Sequence, residues 1–143
     1  MVKISQNFTL EELCNSAVAK SRGIQNQPNT EQVVNLCALV YNVLQPLRDH
    51  VQEPVVISSG FRNLQVNKLV GGVYNSQHIN GQAADISFGT NISKCVMWLN
   101  WIMDNCQFDQ LILEKSKSGT YWIHVSYVVN RKNRCQVIRH DTR

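Results

Sequence analysis

The sequence predicts an α+β domain, with helices packed on one face of a small, mainly antiparallel sheet. Helical apolar spacing fills the first fifty residues, whereas short β-branched runs dominate the rest, with one helix between them. Short connections between the last strands imply antiparallel pairing. The 143 residues, 43% of them hydrophobic, suit a single domain spanning 1–143 with a proper core.

The first helix starts at Phe8-Thr9-Leu10-Glu11-Glu12-Leu13. Thr9 is the N-cap and Glu12 completes a capping box, while Phe8 and Leu13 stand at the staple positions. This helix is expected to run to about Arg22 and stop at Gly23. After a polar connector, Gln25 to Asn29, a second helix begins near Thr30. Val33, Val34, Leu36, Cys37, Val40, Val43, Leu44 and Leu47 recur on it at helical spacing, and Pro46 loosens its last turn. Pro54 to Ser58 reads as a buried strand and Asn63 to Leu69 as a short helix closed by Gly71-Gly72. Ala83 to Ser87 is a second strand. Ile92 to Cys106 is a long helix capped by Asn91 or Ser93, with Val96, Leu99, Ile102 and Met103 inward. Phe108–Glu114 and Tyr121–Val129 form a hairpin about Ser116–Gly119, and Arg134–Arg139 adds an edge strand.

Composition excludes several functions. The net charge of +4 is mild, and its one concentration is Arg131, Lys132, Arg134, Arg139 and Arg143. Aromatic residues do not interleave with that cluster, so no nucleic acid is expected and the tail reads as a solvated edge. No apolar run approaches the roughly 20 residues that span a bilayer. The start has no secretory-signal pattern, which points to cytoplasmic synthesis. The five cysteines form no CxxC pair and read as structural residues in a reducing compartment.

Three polar segments carry the chemistry: Ser58–Arg62, Ser76–Asp85 and Trp122–Ser126. Period-two alternation sets Trp122, His124 and Ser126 on one side of their strand. A lone histidine there is more often a satisfied core residue than a ligand. His78 and Asp85, seven residues apart, span a loop and a strand start and can fold back to one point. Two histidines and a carboxylate with a fourth position open is the composition of a catalytic zinc site. Spacing alone leaves it equally open that His78 caps a turn and Asp85 ends a loop.

Ser58-Ser59-Gly60-Phe61-Arg62, Val66-Asn67…Val70-Gly71-Gly72, Ser76-x-His78-x-x-Gly81-x-Ala83-x-Asp85 and Trp122-Ile123-His124-Val125-Ser126 together resemble the zinc D-alanyl-D-alanine carboxypeptidase family. That family includes phage L-alanyl-D-glutamate endopeptidases and shares its fold with the hedgehog signalling domain. The likeness covers almost the whole chain, because Phe8–Leu13 resembles the opening of the smaller members. It implies one zinc ion on His78, Asp85 and His124, and Arg62 on the substrate or the developing oxyanion. It also implies Ser76 near the substrate, and Trp122 is a further substrate-binding candidate.

Zinc-dependent hydrolysis needs a general base. Some family members carry a glutamate three residues before the last histidine, where this chain has Tyr121. Others carry a histidine two residues before it, where this chain has Trp122. Glu114 is the substitute: a turn near Lys117 and Ser118 pairs it with Tyr121 or Trp122, within reach of His124. Its competing reading is a solvent-facing residue at a strand end. Asp109 reads as a cap or ion-pair partner.

The resemblance therefore implies a zinc metallopeptidase that cleaves peptidoglycan stem peptides at D-Ala-D-Ala or L-Ala-D-Glu. A small monomeric phage or prophage endolysin, reaching the wall after release, fits the absence of a leader. The alternative is a zinc-containing wall-binding module, or a phage structural component, without turnover.

Overall fold

The computed structural model describes residues 1–141, so Arg143 of the basic cluster lies outside the described residues. Its elements are α1 (Leu10–Cys14), α2 (Ala17–Arg22), α3 (Thr30–Leu39), α4 (Gln45–Val51), β1 (Ile57–Ser59), α5 (Leu64–Leu69), β2 (Ala83–Gly89), α6 (Ile92–Asn105), β3 (Gln110–Lys115), β4 (Tyr121–Ser126) and β5 (Gln136–Arg139). A π turn at Val40–Leu44 joins α3 to α4, and a 3₁₀ turn at Gln77–Asn80 precedes β2. The strands form one sheet in the order β1-β2-β4-β3-β5. All neighbours are antiparallel except β3 and β5, which run parallel. The predicted α+β class holds.

The capping box at Thr9 forms in both directions, and Phe8 and Leu13 are buried. The expected single helix from Leu10 to Arg22 is instead two. Ser16 accepts from the Ala19 amide and restarts the chain as a new N-cap, so its side chain competes with helix continuation. The second long helix loosens next to Pro46, as expected. It widens into the π turn just before it, and Pro46 sits in the first turn of α4, where its missing N–H costs nothing. The strand expected at Pro54–Ser58 is the shorter β1, half-buried because it is a sheet edge. Met103, expected inward, is 43% exposed, and the buried stripe of α6 is Cys95, Trp98, Leu99 and Ile102.

Alternation divides the sheet into two faces. Ala84 and Ile86 of β2, Leu111 and Leu113 of β3, and Ile123 and Val125 of β4 join the core with Leu36, Leu39, Leu44, Leu47, Leu99 and Ile102 from the helices. The opposite face presents Asp85, Ile112, Glu114, Trp122 and His124. The helical layer thus leaves one sheet face to carry a site.

Gly60 couples this core to that face. A Cβ there would stand 2.2 Å from the Leu13 carbonyl oxygen, while Phe61 N donates to the same oxygen at 2.7 Å. Gly60→Ala therefore forces the segment off α1, and we expect a loss of about 1–3 kcal/mol in urea unfolding. Wild-type stability in that variant would show that the approach is not tight.

Candidate active site

His78 lies in the 3₁₀ turn, which Ser76 caps by accepting from the His78 amide at 3.2 Å. Gly81 ends that turn in the left-handed region at φ 72°, where an added Cβ would meet the Gln32 carbonyl oxygen at 2.4 Å. The turn is clasped on its other side, because Arg62 N donates to the His78 carbonyl at 3.1 Å. Asp85 and His124 are direct cross-strand partners on β2 and β4. Strand register alone therefore brings a carboxylate and an imidazole together, and the turn swings the second imidazole onto them.

His124 Nδ1 is 3.1 Å and His78 Nε2 3.4 Å from Asp85 Oδ1, and the two rings meet edge to face at 5.1 Å. One ligand atom from each of the three residues lies within 4.8 Å of the others. His78 Nδ1 is 2.7 Å from the Gly60 carbonyl oxygen, which only accepts, so Nδ1 carries the proton. In the neutral ring Nε2 then turns a lone pair towards Asp85 Oδ1, and two acceptors at that distance call for a cation between them. An imidazole whose tautomer is fixed by a carbonyl behind it is the usual arrangement of a metal-bound histidine. The donor set and its geometry fit a metal ion such as zinc. Burial pushes the Asp85 carboxyl up, but the imidazoles of His124 and His78 facing it outweigh that and hold the group well below the usual carboxylate range.

Arg62 is held on three sides. Its Nε donates to Ser59 Oγ at 2.9 Å, Nη1 to Asn67 Oδ1 at 3.2 Å, and Nη2 to Asp85 Oδ2 at 3.5 Å. Glu114 pairs with Trp122, one of the two partners expected, and is a diagonal neighbour of His124 on the same face. Its Oε1 bonds His140 Nδ1, and backbone pairing of His140 N to the Leu113 carbonyl at 2.8 Å delivers that histidine. Arg62, Ser76, His78, Asp85, Glu114, Trp122 and His124 all line one cavity of about 740 Å³. Every site residue singled out in the sequence thus lines this cavity.

The chain belongs to the peptidase M15 family. That follows from the profile described as Peptidase M15, which matches residues 6–126 and so encloses the whole His78–Asp85–His124 group. A zinc D-Ala-D-Ala carboxypeptidase of Streptomyces albus G is 32% identical over 87 residues, 59% of this chain. The chain spans about a third of that relative's length, 32%. Among the described residues of this M15 chain, no helix is long and apolar enough to cross a membrane.

The basic tail is a solvated edge as expected, with Arg131, Lys132, Arg134 and Arg139 exposed, but two of its arginines are also anchored. Arg131 and Arg134 both bond the carboxylate of Asp109, which is fully buried. Gln77 Nε2 donates to the same carboxylate at 3.0 Å, leaving Gln77 Oε1 buried without a partner, because Asp109 can only accept. Asp109 is therefore an ion-pair hub that ties the tail to the residue before His78. Arg139 pairs with Asp141 instead. Asp109 is the ion-pair partner that the sequence reading expects, whereas Gln77, Arg131, Arg134 and His140 are not foreseen as its neighbours. The one available sign was a carboxylate between Phe108 and the apolar run of β3, which demands a cation when buried.

The arginines drive the Asp109 carboxyl far below the usual carboxylate range, against the upward push of burial. A depressed folded-state pKa gives stability that is complete above the unfolded value of about 3.9 and is lost as pH falls below it. We expect Asp109→Asn to be less stable than wild type at pH 7 and to show a shallower loss below about pH 4. Parallel stability curves over pH 2–7 would contradict the ion-pair assignment.

The five cysteines are free. Burial pushes the Cys14 and Cys106 thiols up to about 11 and that of Cys95 to about 12, so these three are unreactive.

Proposed function

We propose that this M15 chain is a zinc-dependent peptidase acting on peptidoglycan stem peptides, of D-Ala-D-Ala carboxypeptidase or L-Ala-D-Glu endopeptidase type. His78, Asp85 and His124 would hold one zinc ion. The observation that carries this is the convergence of those three side chains beside Arg62 and Glu114 in a single cavity. The substrate class rests on the similarity to the zinc D-Ala-D-Ala carboxypeptidase of Streptomyces albus G.

A zinc ion held there would supply Lewis acidity, polarising the scissile carbonyl and bringing the pKa of a water towards neutrality. The protein's own groups do the rest. Glu114 accepts the proton of the attacking water and passes it to the leaving amine. His140 engages Glu114 Oε1 and so leaves Oε2 for that transfer. Arg62, fixed by Ser59 and Asn67, stabilises the negative charge that develops on the carbonyl oxygen. Ser76 and Trp122 line the cavity as substrate contacts, Ser76 while also capping the His78 turn. The protein acts as a monomer on the bacterial wall, in the manner of a phage or prophage endolysin.

Purified peptidoglycan incubated with the protein tests the reading. Release of peptides that stops on chelation and returns with zinc is the expected result, and the new chain ends identify the bond cut. Bound zinc without cleavage of any stem peptide would overturn the peptidase in favour of a wall-binding module.

A further inference from the structure

Arg131 and Arg134 lie beyond residue 126, where the family match ends, yet both line the cavity that holds His78, Asp85 and His124. Arg131 spends Nη1 and Nη2 on Asp109 and Arg134 spends Nε and Nη2 on it. Arg131 Nη1 also reaches the Lys132 carbonyl. Among the described residues, Arg131 Nε and Arg134 Nη1 meet no acceptor, and the two side chains stay 47% and 49% exposed.

One arginine would neutralise Asp109. Two leave a single formal positive charge on the Asp109 cluster, on guanidinium groups already immobilised by a buried anchor. Groups fixed in advance lose little entropy on binding. Guanidinium forks recognise carboxylates and phosphates. A surplus of one charge matches a carboxylate better than a phosphate monoester, which carries about −1.5 to −2 at neutral pH. Gln77, the residue preceding His78, donates to the same anchor, so the arginines lie next to the turn that carries His78.

We propose that Arg131 and Arg134, held on Asp109, form a subsite for a free carboxylate of the peptide substrate, separate from the atoms that react. This rests on the peptidase reading above. A merely structural clamp would use the same ion pairs but would be indifferent to the ligand's charge.

The test uses the full chain with its metal and two probes: acetyl-γ-D-glutamyl-L-lysine, and the same dipeptide with both carboxylates amidated. The side-chain Nε–H signals of Arg131 and Arg134 are followed by NMR during titration. We expect both signals to move with the acid, and the acid to bind about tenfold more tightly than the amide. Arg131→Gln, which leaves Arg134 to neutralise Asp109, should erase most of that difference. Silent arginine signals, or equal affinity for acid and amide, would overturn the subsite. Inorganic phosphate moving the same signals at lower concentration than the dipeptide would overturn the carboxylate assignment. The comparison of two probes on the unmodified protein decides the matter even where the variant does not fold. It also needs no turnover: charge-selective binding without cleavage would sink only the peptidase reading. Cleavage of amidated and acidic substrates at equal rates, with silent arginines, would sink only the subsite.

Discussion

Asp85→Ala is expected to abolish zinc binding at micromolar metal and, with it, peptide cleavage. Asp85 is the hinge of the site: Oδ1 faces both imidazoles, Oδ2 faces Arg62, and the residue is buried. Its loss removes the anionic ligand and leaves two neutral nitrogens. It also strips the counter-ion from Arg62. Losing a group that merely orients a ligand costs roughly 10–100-fold in affinity or activity, so losing a ligand should exceed that. Zinc content after gel filtration, isothermal titration with zinc and far-ultraviolet circular dichroism separate metal loss from unfolding. A folded variant that retains zinc at wild-type affinity would remove Asp85 from the ligand set.

The second large effect concerns Glu114. Glu114→Gln keeps the shape and one hydrogen-bond acceptor for His140 but cannot take up a proton. General acid–base catalysis is worth about 10²–10⁴-fold, and we expect kcat to fall in that range with metal content unchanged. A metal-replete variant with wild-type kcat would make Glu114 a bystander. The effect should fall on kcat rather than KM, because proton transfer matters in the transition state and not in substrate binding.

Local signals in the sequence translated well into structure. The capping box at Thr9, the Asn91 cap of α6 and the hairpin turn near Ser116–Thr120 each depend on residues close in the chain. Asp85 and His124 were legible as a pair only once the motif was read as a whole. Period-two alternation gave the face of His124, but the register that sets it opposite Asp85 is a property of the assembled sheet. The break at Asn15–Ser16 was missed because Ser16 offers a competing cap inside an otherwise helical stretch. The loosening near Pro46 was legible but its form as a π turn was not, because a proline can be accommodated one turn early as well as by a kink.

The Asp109 hub illustrates the harder limit. Arg131 and Arg134 are 22 and 25 residues from their partner. They reach it because the segment after β4 returns to set β5 parallel to β3, which periodicity does not encode. His140 reaches Glu114 by the same return. Asp109 and Glu114 lie inside the segment that the family profile matches, but their partners Arg131, Arg134 and His140 lie beyond it.

Metal stoichiometry tests the zinc site most directly. Protein purified without chelator and measured by inductively coupled plasma mass spectrometry should carry close to one zinc per chain. That zinc should be absent from Asp85→Ala and present in Glu114→Gln. A wild-type chain that takes up no zinc, even when titrated with it, would contradict the central claim, and His78, Asp85 and His124 would then be a hydrogen-bonded structural cluster.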